Sequence, residues 1–193
     1  MKKIFFFSKN KNKINEIEKL FGDINIDILN CNKYDLVEPE EIGSTFKENA
    51  KIKSEFGFNF LKIPCFADDS GLCINALNNF PGIKSKRFIE ESGGLEETFN
   101  NIANKMINLD DNAYFKTTIS LTIKKGENIF FNGITKGKIS KKPKGKNGFG
   151  YDAIFIPDGY RETFAEMSLK RKNQLSHRSK AIKQLKKYLL PLI

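Results

Sequence analysis

A chain of 193 residues, 39% hydrophobic with 18 Phe, has enough apolar material for a packed core, which excludes wholesale disorder. Its net charge of +10 invites a nucleic-acid reading, but only four of the 33 basic residues are Arg (Arg87, Arg161, Arg171, Arg178) and the lysines are spread from end to end. A generic basic surface explains this charge better than a dedicated nucleic-acid interface. The opening residues 1–7 imitate a signal peptide, yet the apolar run stops at Phe7 before Ser8, Lys9 and Lys11. That is shorter than a secretory segment, and no window reaches the length of a membrane span. These features predict a cytoplasmic protein without a membrane partner. Residues 3–7 read as a buried strand, and Ile14, Ile17, Leu20 and Phe21 as one face of a helix from Asn10 to Phe21, with Gly22 ending it. Ile24, Ile26 and Ile28 alternate as in a strand, and Thr45-x-x-Glu48 predicts a capping box opening a helix to about Phe56. A short strand over 63–67 is expected to end on Asp68-Asp69-Ser70-Gly71, and Leu95, Phe99, Ile102 and Met106 mark a further helix.

Two long strands then alternate around a turn at 125–128, a Gly/Lys-rich loop covers 140–150, and a strand is expected over 153–156. Pro157-Asp158-Gly159 turns, and Ala181, Ile182, Leu185 and Leu189 share one side of a C-terminal helix. Helices mixed with antiparallel strands predict an α/β fold with a mixed sheet, in one domain spanning 1–193.

Rare residue types exclude several chemistries. Cys31, Cys65 and Cys73 make no C-x-x-C pair, so neither a disulfide framework nor a zinc site is expected. The one histidine, His177, excludes His-rich metal sites and H-E-x-x-H hydrolases.

Four segments remain as candidates. Ser8-Lys9-Asn10-Lys11-Asn12-Lys13, between strand and helix, offers phosphate a hydroxyl, amides and lysines at a helix N-terminus, or is a polar turn. It lacks the glycines of a Walker loop. Glu38, Glu40 and Glu41 with Asp68-Asp69 are hard oxygen donors suited to Mg²⁺, or part of a solvated turn. A glycoside-cleaving carboxylate pair is disfavoured because Trp is absent. Gly148-Phe149-Gly150-Tyr151-Asp152 offers a stacking face and an acceptor for a base edge, or is a tight turn with core rings. Lys172 with Ser176-His177-Arg178 reads as an oriented polar binder or a charged helix entry; no spacing suggests a nucleophilic triad.

Together the four segments resemble the inosine/xanthosine triphosphate pyrophosphatase family over nearly the whole chain. The resemblance runs through Ser8-x-Asn10-x-x-Lys13, Glu40-Glu41-x-Gly43-x-Thr45-Phe46-x-Glu48-Asn49-Ala50 with Lys53, and Ala67-Asp68-Asp69-Ser70-Gly71-Leu72. It continues through Ala76-Leu77, Pro81-Gly82 with Ser85 and Arg87, Gly148 to Asp152, Phe164-Ala165-Glu166-Met167, Lys172, and Ser176-His177-Arg178. It implies a long central mixed sheet flanked by helices, two lobes around a substrate cleft, and a homodimer. It also implies hydrolysis of ITP, dITP or XTP to monophosphate and pyrophosphate, cleansing the nucleotide pool. Mg²⁺ would be held by Asp69, Glu40 and Glu41, with Asp69 also accepting the proton of the attacking water. Residues 8 to 13, Lys53, Ser70 and Lys172 would contact the substrate, Lys13, Lys53 and Lys172 cradling the triphosphate. Phe149, Gly150, Tyr151, Asp152, His177 and Arg178 would hold the base. Lys9 and the basic run 140–147 depart from the family pattern. A related pyrophosphatase acting on modified pyrimidine triphosphates is the alternative enzyme.

Overall fold

The computed structural model describes residues 2–34 and 36–192; Met1, Asp35 and Ile193 lie outside the described residues. Strands β1 (Lys3–Phe6), β2 (Asp27–Asn30), β3 (Cys65–Ile74), β4 (Phe80–Pro81), β5 (Asn112–Lys124), β6 (Glu127–Ile139) and β7 (Phe155–Pro157) form one sheet. Its order is β2-β1-β3-β5-β6-β7, with β4 on β3. β1 pairs parallel with β2 and β3, whereas β3–β4 and β6–β7 are antiparallel, so the sheet is mixed and the fold α/β as expected. Among the described residues six α-helices accompany it: α1 (Lys11–Phe21), α2 (Phe46–Leu61), α3 (Ser85–Glu91), α4 (Leu95–Lys105), α5 (Leu169–Leu175) and α6 (His177–Leu189). No described helix is long and apolar enough to cross a membrane.

The chain divides into two compact units. The first comprises Met1–Asp69, Thr117–Gly133 and Arg178–Ile193; the second comprises Ser70–Lys116 and Ile134–His177. In the first unit β1 is buried on both faces, as a parallel strand requires. Ile4 and Phe6 pack with Ile14, Ile17 and Phe21 of α1 and Ala181, Ile182, Leu185 and Leu189 of α6. Phe5 and Phe7 turn the other way, into a cluster with Cys65, Ala67 and, at its margin, Phe56 and Phe58 of α2. Gly57 lets α2 lie close on this face: a Cβ there would come within 2.5 Å of the Cys65 sulfur. In the second unit Leu72, Ile74, Ile102, Phe115, Ile154, Phe155 and Phe164 form the core.

Several expectations need correction. The segment Asp68-Asp69-Ser70-Gly71 does not turn; β3 runs through it to Ile74. Ile24 and Ile26 precede β2, which begins only at Asp27. α2 runs five residues past Phe56, because its buried face outweighs the helix-weakening Gly57. As expected, the Thr45 hydroxyl caps α2 by accepting from Glu48 N–H; the Glu48 carboxylate takes the N–H and hydroxyl of Ser44 and also reaches back to Thr45. Gly22 follows α1 with φ −60°, so the helix ends without a left-handed cap. α5 and α3 carried no sequence signal that separated them from loop.

Candidate active site

The alternation of β3 decides where the two aspartates go. Residues two apart share a face, so Asp68 follows Phe66 toward α1 and α6, and Asp69 follows Cys65 and Ala67 toward α2. The contacts agree. Asp68 is met by Lys13 Nζ of α1 at 3.0 Å and by Arg178 Nε of α6 at 3.4 Å. Asp69 accepts a hydrogen bond from Asn49 Nδ2 at 3.2 Å and lies 3.9 Å from Lys53 Nζ, both on α2. Asn49, Lys53 and Gly57 recur at four-residue spacing, so one stripe of α2 carries the amide, the ammonium and the close contact to the sheet.

Both aspartates are buried, Asp68 2% and Asp69 5% exposed. Burial raises the Asp69 carboxyl to about 6, against the pull of Lys53 and with the help of the negative Glu41. Lys53 is pulled down by burial, but Asp69, Glu41 and Asp68 outweigh it and raise it above the usual lysine value. Lys13 goes the other way: burial and the nearby Lys53 and Arg178 hold it low despite Asp68. A carboxylate with an elevated pKa, flanked by two cations of opposite shift, is the pattern expected of groups that handle protons and anionic charge.

The helix-entry segment is placed as follows. Ser8 is buried and its hydroxyl accepts the Asn10 N–H at 3.2 Å. Asn10 caps α1, its side chain accepting from Asn12 and Lys13 N–H at 3.0 and 3.1 Å, so its oxygen serves the helix. Lys9, Lys11 and Asn12 are exposed; Lys9 N–H donates to Glu38 Oε1 at 3.3 Å. Of these lysines only Lys13 joins the buried cluster.

The expected carboxylate triad does not assemble. Glu41 pairs with Lys53 at 2.6 Å, while Glu40 is exposed. Among the described residues no three His, Cys, Asp or Glu side chains stand together to hold a metal ion.

Arg178 is the residue expected, with His177, to hold the base. It is buried in the first unit, with its guanidinium paired to Glu16 of α1 and to Asp68. An ion chain Glu16–Arg178–Asp68–Lys13 thus ties α1, α6 and β3 together. Glu16 was missed by sequence reasoning, although an acid beside Ile17 on the apolar face of α1 was a usable signal. Asn49 stands in the motif that runs from Glu40 to Lys53, but the sequence assigned it no role.

In the second unit, Asp152 accepts from Phe149 N–H at 2.8 Å and from Lys172 Nζ at 2.6 Å, with both side chains buried. The Lys172 ammonium also lies 4.7 Å from the centre of the Phe149 ring. Phe149 and Gly150 are half-buried, as is Ser70. Tyr151 belongs to the core, its hydroxyl donating to the Ser85 carbonyl at 2.8 Å. Burial pushes that hydroxyl well above the usual tyrosine value. His177 stacks on Phe115, ring centres 4.7 Å apart and planes 9° from parallel.

A buried carboxylate of raised pKa set among paired lysines is the arrangement of an enzyme site. The chain belongs to the Ham1 family, whose model matches residues 4–188. It is 38% identical to a dITP/XTP pyrophosphatase of Christiangramia forsetii over 97% of this chain and 98% of that one. It is 40% identical to a dITP/XTP pyrophosphatase of Halalkalibacterium halodurans, covering 98% of this chain and all of that one. Among solved structures, a HAM1 protein from Coxiella burnetii superposes with a TM-score of 0.90 at 34% identity, over 98% of both chains. The Staphylococcus aureus Ham1 protein superposes with a TM-score of 0.87 at 37% identity over the full length of both.

Proposed function

We propose that this protein hydrolyses dITP, XTP and ITP to the nucleoside monophosphate and pyrophosphate. The observation that carries the proposal is the buried Asp69, raised to about 6 and set beside Lys53, in a chain about 38–40% identical over its length to relatives named dITP/XTP pyrophosphatases. Water attacks the α-phosphorus, forming a new P–O bond as the α–β bridge breaks and pyrophosphate leaves. The Asp69 carboxylate takes the water's proton, and a carboxylate of raised pKa is a better base near neutral pH than an ordinary one. Lys53 and Lys13 offset negative charge on the phosphoryl oxygens, and Asn49 fixes the Asp69 carboxylate.

The donor set also fits Mg²⁺. Asp69 and Glu41 already share one positive charge, that of Lys53. Mg²⁺ is held through one or two carboxylates plus waters and substrate phosphates, so a third protein acid is unnecessary. Asp69 and Glu41 would hold the ion, whose chemistry when bound is to neutralise charge on phosphate oxygens. In the second unit the half-buried Phe149 is the candidate platform for the base, held from below by Asp152 and Lys172.

The test is pyrophosphate release from dITP, XTP, ITP, ATP, GTP, dTTP and UTP with Mg²⁺, alongside an Asp69→Asn variant. The 6-oxo purines without a 2-amino group should be turned over best and Asp69→Asn should lose at least ~100-fold. Turnover confined to pyrimidine triphosphates, or unaffected by Asp69→Asn, refutes the proposal.

A further inference from the structure

The run 140–147 is not absorbed by the reaction proposed above. Lys141, Lys142, Lys144 and Lys146 are all exposed, as are Lys136 and Lys138 of β6 just before them. No acidic residue stands between Glu127 and Asp152. Among the described residues none of the four loop lysines makes an ion pair. Three carboxylates that follow the loop in the chain are engaged elsewhere: Asp152 with Lys172, Glu166 with the Thr163 N–H at 2.8 Å, and Glu162 with Arg171 at 2.9 Å.

A solvated tail could show the same charge, but this backbone is built. Ser140 N–H donates to Ile154 O at 2.8 Å, Lys144 N–H to Ala153 O at 2.8 Å, and Asn147 N–H to Ala165 O at 2.9 Å. Thr163 Oγ1 donates to Lys144 O at 2.9 Å, Asn147 Nδ2 to Met167 O at 3.1 Å, and Ser140 Oγ to Lys142 O at 2.7 Å. Gly145 takes φ +84° against the Ala165 backbone, where a Cβ would come within 2.2 Å of the carbonyl carbon. The loop is pinned by residues 153–154 before β7 and by the 163–167 turn, while its four lysines stay exposed. Its last lysine stands three residues before Phe149.

We propose that loop 140–147 is a capture site for polyphosphate anions, its ligand being the triphosphate chain of the nucleotide substrate. The inference rests on the nucleotide reading above and adds a residue set to it. Ordered like charges with no internal counter-ion raise the local concentration of an anion and cost little ordering when it arrives. They act on encounter and binding rather than on the bond that breaks, so they lower KM without raising kcat.

The test is the fourfold variant Lys141→Gln, Lys142→Gln, Lys144→Gln and Lys146→Gln in the full chain. Inorganic tripolyphosphate binding by calorimetry gives a readout independent of turnover. At about 20 mM salt the variant should bind tripolyphosphate about fivefold more weakly and show a KM for dITP raised to match, with kcat unchanged. Both differences should close at about 0.5 M salt, where screening is strong. Equal tripolyphosphate affinity at both salts overturns the proposal, as does a fall in kcat at constant KM. Loss of single-stranded oligonucleotide binding with tripolyphosphate affinity intact also overturns it, and assigns the loop to nucleic acid. A parent that binds tripolyphosphate through the loop but releases no pyrophosphate from dITP supports the capture site and refutes the nucleotide-hydrolysis reading.

Discussion

Replacing Asp69 by Asn should stabilise the metal-free protein at neutral pH and not in acid. The folded-state carboxyl titrates at about 6 against an ordinary 3.8. A raised pKa in an acid means that the folded state holds the proton more tightly than the unfolded one. Below pH 4 the group is protonated in both states and contributes nothing. As pH rises from about 4 to 6 the unfolded chain loses its proton first, so stability falls; above 6 the penalty is complete. That difference in proton affinity corresponds to roughly 3 kcal/mol. Part of this is returned, because the amide of the variant offers no charge to Lys53, whose ammonium lies 3.9 Å from the Asp69 carboxylate, although Glu41 stays on that ammonium at 2.6 Å. A net gain of ~1–2 kcal/mol is expected, or a Tm higher by about 3–8 °C for a chain of this size. Calorimetric melting with a chelator present, at intervals from pH 4 to 8, reads this directly. The Tm gap should open between pH 4 and 6 and then stay level. Mg²⁺ should narrow it at pH 7.5, since the ion stabilises only the carboxylate form. A gap independent of pH, or one that favours the parent as pH rises, refutes the reasoning.

Other variants test other parts of the structure. Arg178→Ala strips Glu16 and Asp68 of their shared buried cation, leaving Asp68 only Lys13, and should cost ~3–5 kcal/mol, seen as a Tm fall of about 6–20 °C; a loss of under 1 kcal/mol would show that the ion chain does not hold α1, α6 and β3 together. Gly57→Ala forces a methyl toward the Cys65 sulfur at 2.5 Å, so despite its better helix propensity it should destabilise by ~1–3 kcal/mol in urea melts. Lys9→Gly removes an exposed side chain, and its kinetics should match the parent at low and high salt; a several-fold rise in KM at low salt would place that ammonium against substrate.

The sequence made the elements with repeating apolar faces readable: α1 from Ile14, Ile17 and Phe21, α6 from Ala181 to Leu189, and the β5–β6 pair from its alternation. It misled at β3. Asp-Asp-Ser-Gly has turn composition, and only the distant cations Lys13, Lys53 and Arg178 make two carboxylates tolerable inside a buried strand. Those partners come from α1, α2 and α6, so no local window contains the reason. The same limit separated His177 from Arg178. They are neighbours in the chain, but the ring stacks on Phe115 in the second unit and the guanidinium enters the ion chain of the first. Lys13, Lys53 and Asp69 stand out in the sequence because their motifs are dense; Glu16 drew no reading and Asn49 no role, because both act only through partners that folding brings to them.

Which bond breaks, and on which base, is tested at once by following dITP and dATP hydrolysis with Mg²⁺ by phosphorus NMR. We expect dIMP and pyrophosphate in equal amounts, with kcat/KM for dITP at least ~100-fold above that for dATP, as when a 6-amino group meets a site built for a 6-oxo group. Release of orthophosphate and dIDP, or equal rates on the two nucleotides, would contradict it.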